Sequence, residues 1–170
     1  MTLPKPEQGL VIRYSYLWHR EAREGREEGV KDRPCAIVAA ITRDNGGQQR
    51  VAVVPITHRE PENPRDAIEI PPKIGQALGL DWARSWIVTS ELNTFTWPGP
   101  DIRAAASSRF AYGKLPHKLA EQVRQQVFDR SQERVNLVER DEATRRKDAA
   151  QAMLEAKRAR PPSKDKDIER

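Results

Sequence analysis

The sequence predicts a mostly β domain: a small barrel closed by a C-terminal helix and followed by a charged helical or disordered extension. Three observations predict it. Short runs rich in β-branched and aromatic residues recur between Pro- and Gly-containing breaks through the first 130 residues. One later run stripes Leu119, Val123 and Val127 at spacings of four behind Pro116, which suits the first turn of a helix. Composition then changes, and 139–170 hold ten Lys or Arg and eight Asp or Glu among 32 residues. The chain divides accordingly into a barrel domain at 1–130 and a tail at 131–170.

Taken in order, Gly9 to Trp18 reads as the first strand, and His19 to Asp32 as a charged loop carrying Gly25 and Gly29. Pro34 to Thr42 is a nearly continuous apolar run, short enough for a strand buried on both faces. Asp44-Asn45-Gly46-Gly47 is a turn signal that joins it to Arg50–Ile56 as a hairpin. Pro61 and Pro64 make the next segment an irregular loop. Ala67 to Ile70 suits a short strand, and Pro72 to Leu80 one or two helical turns ended by Gly79. Ser85 to Ser90 is a further strand, which Asn93 to Trp97 continues or pairs with, before Pro98-Gly99-Pro100 closes the region. In the tail, 142–160 suits a solvated helix, broken by Pro161-Pro162. Trp18, Trp86 and Trp97 suit the core or an interface, and Trp82 an exposed position.

Charge and composition narrow the function. A net charge of +5 and a pI of about 9.6 favour a polyanionic partner. Cys35 is the sole cysteine, which excludes an intrachain disulfide and a thiolate metal cage. His19, His58 and His117 lack metal-ligand spacing, so no metal or cofactor is expected. The sequence has no glycine-rich phosphate loop, no His-Glu-x-x-His and no Gly-x-Ser-x-Gly elbow. Without an apolar leader or a membrane-length run, a cytoplasmic protein with no membrane partner is expected.

What remains is a set of polar residues at strand ends. The glycine-started first strand, the loop with Gly25, Glu27, Glu28 and Gly29, then Arg33-Pro34, Pro55-Ile56-Thr57, Leu78-Gly79-Leu80 and Ser85-Trp86-Ile87-Val88 follow one another in order. That order resembles the MazF/PemK (Kid) toxins of type II toxin–antitoxin systems over residues 9–128. The resemblance implies an SH3-like barrel of the MazF/PemK/CcdB type, a homodimer, and a metal-independent, sequence-specific endoribonuclease acting on single-stranded RNA. It also implies an antitoxin partner with an acidic segment. Arg33 and Thr57 take the catalytic positions. His58, beside Thr57, is the added catalytic candidate. Glu27, Glu28, Lys31, Arg59, Glu91 and Asn93 are the expected RNA-contacting set.

Elementary chemistry fits the stronger member of that pair. Attack of a ribose 2′-hydroxyl on the adjacent phosphate, giving a 2′,3′-cyclic phosphate, builds negative charge on phosphoryl oxygens. A guanidinium offers them a planar, permanently charged fork. Thr57 can position an oxygen but is a poor base, and His58 reaches the site only if the chain turns there. The blander readings are that Arg33 anchors its loop by pairing with Asp32 or Glu28, and that Thr57 satisfies nearby backbone. The sequence also departs from the family pattern. Leu10 stands where an acid is frequent, and Ser90-Glu91-Leu92-Asn93 lacks the usual basic residue. The lost basic residue at Asn93 and the long tail favour the alternative, a non-catalytic barrel that binds nucleic acid or blocks a protein target such as DNA gyrase.

Overall fold

The structure is a computed structural model that describes residues 2–42, 46–80, 83–106, 109–133 and 136–141, with Leu154 and Arg158. Among them, nine strands form one sheet that is antiparallel at every pairing but one. The order is β1 (Leu10–Ser15), α1 (His19–Arg23), β2 (Asp32–Thr42), β3 (Gln49–Thr57), β4 (Ala67–Glu69) and α2 (Pro72–Ala77). Then come β5 (Trp86–Val88), β6 (Glu91–Trp97), β7 (Ile102–Arg103), β8 (Ala111–Lys114), α3 (His117–Glu133) and β9 (Asn136–Glu139).

The β2–β3 hairpin is the spine. It pairs Cys35 with Pro55 at one end and Thr42 with Gln49 at the other, and the register shifts between Ile37 and Ala39. β3 then divides its free edge. Gln49–Val53 pair with β6, while Ile56 and Thr57 pair with β5, so the sheet splits into two ladders at this strand. β1 does the same on the other side, with β8 along its first half and β7 along its second.

Side-chain alternation along the spine feeds two cores. Cys35, Ile37, Val51 and Val53 face one core, completed by Ile12, Tyr14, Tyr16 and Phe95. Ala36, Val38, Val54 and Ile56 face the other, where Leu119, Val123 and Val127 of α3 close over the sheet. The expectation that the Pro34–Thr42 run is buried on both faces therefore holds from Pro34 to Val38. Each fully buried aliphatic side chain contributes about 1.5–3 kcal/mol relative to leaving it exposed. Pro72 starts α2 at its first turn, and Gly79 at φ +71° ends it in the left-handed region glycine tolerates.

Four sequence expectations change. The charged loop after β1 begins with a helical turn, α1. Asn93–Trp97 neither continue β5 nor pair with it, but lie in β6 on the edge of β3. The anticipated boundary at residue 130 falls inside α3, and α3 is followed by β9, which pairs in parallel with β6. Residues 136–139 thus belong to the sheet because β6 has a free edge that a returning strand can satisfy. Asp44, Asn45 and Trp82, and the helix anticipated at 142–160 apart from Leu154 and Arg158, lie outside the described residues. Among the described residues no helix is long and apolar enough to cross a membrane.

Candidate functional site

A groove of about 510 Å³ opens where β1 and β2 meet the loop after β3 and the end of α2. Arg13, Lys31, Asp32, Arg33 and His58 supply its polar lining, and Pro34, Gly79, Leu80 and Tyr112 are among its less polar walls. Four of the five polar side chains are basic types.

Local structure explains how Arg33 arrives there. Proline disfavours the helical region for the residue before it, so Arg33-Pro34 enters β2 already extended, opposite Tyr14 and Arg13 of β1. The preceding loop is held close to β1 by Gly29. A Cβ there would fall 2.2 Å from the Tyr16 carbonyl oxygen, a distance only glycine avoids. The half-buried Arg33 guanidinium lies 4.9 Å from the centre of the Trp18 ring. Its Nε is buried without a hydrogen-bond partner, and among the described residues it makes no ion pair. The anticipated anchoring pair with Asp32 is not formed. Asp32 instead sits 3.6 Å from Arg13 and 3.9 Å from Arg103.

Thr57 meets its expected position but not its expected surroundings. Carrying the β2–β3 register two residues beyond Cys35–Pro55 sets Thr57 across from Arg33. Its Oγ1 accepts the Arg59 backbone N–H at 3.2 Å, which is the plain strand-end role. Thr57 is not part of the groove lining, whereas His58 is. The groove gathers Arg33, His58 and Lys31, without Thr57.

The other anticipated contacts divide. Glu27, Glu28 and Arg59 are exposed and lie outside the groove lining. Glu91 is partly buried and its Oε1 accepts the His19 backbone N–H at 2.9 Å, fastening the start of α1. Burial pushes its carboxyl above the usual carboxylate range. The His19 N–H pulls it back, Glu21 raises it further, and Arg20 and Arg33 lower it. Asn93 is corrected outright: it is fully buried. Its Oδ1 accepts from Leu17 N at 2.9 Å and from Arg140 Nη1 at 3.1 Å, and its Nδ2 donates to Leu17 O at 2.8 Å. An amide so engaged in the interior is a structural cross-link between β6, the chain just after β1 and the chain after β9, not an RNA contact.

That node holds a residue whose burial the sequence does not announce. Arg140, only 1% exposed, donates to Ser15 O at 2.7 Å and stands 3.1 Å from the buried Asp101 carboxylate. A lone arginine in a run of charges carries no signal of such burial. Arg13 and Tyr112 were also missed, although Arg13 had one sign. It continues the period-two face of β1 that Val11 occupies, where an apolar residue would be expected. Among the described residues no three His, Cys, Asp or Glu side chains gather as a metal-binding group. Cys35 is wholly buried, and burial pushes its thiol far up, with Arg33 and Arg140 opposing weakly, so it is no nucleophile.

Compared with known proteins, the chain matches no family model, no curated protein and no solved structure.

Proposed function

We propose that the protein is an endoribonuclease toxin of SH3-like barrel form that cuts single-stranded RNA in this groove. Its expected partners are a second copy of itself and an antitoxin whose acidic segment covers the basic lining. The observation that carries the reading is Arg33, a half-buried guanidinium with an unpartnered Nε and no carboxylate partner among the described residues, lining one groove with His58. A cation that makes no ion pair with a described residue in a partly desolvated groove is arranged to receive an anion.

In the proposed step the ribose 2′-oxygen attacks the adjacent phosphorus as the bond from phosphorus to the 5′-oxygen breaks. The products are a 2′,3′-cyclic phosphate and a 5′-hydroxyl. Arg33 clamps the non-bridging oxygens as their charge grows, and stacking on Trp18 fixes the guanidinium plane. His58 accepts the 2′-hydroxyl proton, a task an imidazole performs near neutral pH. Solvent at the open groove protonates the departing 5′-oxygen. Thr57 acts indirectly, by holding the turn that swings His58 forward.

The test is to incubate the purified protein with a long RNA in EDTA and map new ends by primer extension. Cuts ending in cyclic phosphate are expected, and Arg33→Ala cutting as fast as wild type would defeat the proposal. A second reading, binding without cleavage, is favoured by the engagement of Thr57 Oγ1 away from the groove. It predicts that the wild-type protein retains RNA and generates no new ends.

A further inference from the structure

β1 and β7 set two arginines side by side. Arg13 lies opposite Arg103 across β1–β7 and opposite Pro34 across β1–β2, so one row crosses three strands on a single face. Like charges directly opposite on neighbouring strands destabilise a sheet unless something offsets them. Here Asp32 does, with Oδ2 3.6 Å from Arg13 Nη2 and Oδ1 3.9 Å from Arg103 Nε. Both separations exceed hydrogen-bonding length, so the carboxylate neutralises the pair without occupying its donors.

Backbone carbonyls aim the two guanidinium groups. Arg13 Nη1 donates to Ala104 O at 3.3 Å, and Arg103 Nη1 donates to Pro100 O at 2.6 Å. The side chains remain 42% and 41% exposed, so further N–H groups face solvent. Two oriented forks with a loosely held internal counter-charge are the elements of an anion site. Arg13 and Asp32 line the same groove as Arg33 and His58.

We propose that Arg13 and Arg103 form a second phosphate subsite for single-stranded RNA, and that Asp32 is its built-in competitor. This rests on RNA being the ligand of the groove. A backbone phosphate entering between the two guanidinium groups takes the N–H donors that Asp32 leaves open. The Asp32 carboxylate opposes it as a like charge and so sets how tightly the flanking nucleotide is held.

The test uses the full chain and a 2′-O-methyl oligoribonucleotide, which cannot be cut, with binding followed by fluorescence anisotropy over a salt series. Arg13→Gln and Arg103→Gln should each make the plot of log affinity against log salt shallower, by about 0.7 for each phosphate no longer neutralised. Asp32→Asn should act in the opposite direction, tightening binding at low salt by about fivefold. Misfolding cannot produce that gain, and thermal midpoints of all three variants are read alongside. Unchanged slopes in both arginine variants, or an Asp32→Asn protein that binds no tighter, overturn the subsite. A wild-type protein that fails to bind the oligomer overturns both the subsite and the RNA reading. Slopes as expected, with unmodified RNA left intact, overturn cleavage alone.

Discussion

Two arginines in one small domain are used in opposite ways. Arg140 is buried, with a carbonyl, an amide oxygen and a carboxylate around its guanidinium and the Tyr14 ring 5.6 Å away. Arg33 is half-buried, rests on Trp18 and makes no ion pair with a described residue. The first cation is consumed by the fold, since a charge taken out of water must be matched on the spot. The second is held in place by an aromatic face, which orients a guanidinium without neutralising it. The comparison teaches that position along the strands, not residue type, separates a structural cation from one open to a ligand.

The largest effect should come from the structural member. Arg140→Ala takes the cation away from the buried Asp101 and Asn93, and should lower unfolding free energy by about 3–5 kcal/mol. Urea denaturation measures it, and a loss under about 1 kcal/mol would remove the contrast. Next is Arg33→Ala. It should cut the rate of RNA cleavage by about 10²–10³-fold. Its cost in stability should be only about 0.5–1 kcal/mol, for the stacking on Trp18 that the substitution removes. A variant in which both activity and fold fail would make Arg33 a second Arg140.

His58→Ala should slow cleavage by about 10²-fold while leaving binding of uncleavable RNA intact. Thr57→Val is the companion, and a larger loss there than at His58 would return the catalytic role to the strand face. The smallest effect concerns Glu91. Burial raises its folded-state pKa above the unfolded value, so the folded protein holds a proton that the unfolded chain has released. Stability should therefore fall as pH rises from the unfolded pKa through the folded one, and stay flat above. Glu91→Gln keeps the acceptor for His19 N and removes that fall. Thermal midpoints across this range should show the variant modestly more stable at neutral pH, and identical pH profiles would count against the burial.

Much of the fold was legible locally. The apolar run from Pro34 to Val38, the hairpin across Gly46-Gly47, the Pro72 helix ended by Gly79 and the Leu119-Val123-Val127 stripe all appear where their patterns place them. Each rests on backbone preference or side-chain period, which neighbouring residues decide among themselves. β9 was not legible, because a four-residue strand inside a charged stretch is stabilised only by the edge it joins. Asn93 was misjudged for a related reason: its neighbours in sequence are strand residues, but its partners are Leu17 and Arg140.

By itself the sequence determined a basic, mostly β domain with a helix near its end, and it put Arg33 at a strand entrance, since proline and alternation act over a residue or two. Tertiary structure alone decided which polar residues meet. It brought His58 into the groove and turned Thr57 to the backbone, set Arg13 against Arg103 around Asp32, and buried Arg140. Those outcomes depend on strand register and on which edge each strand finds, and both are chosen by contacts between residues far apart in the chain.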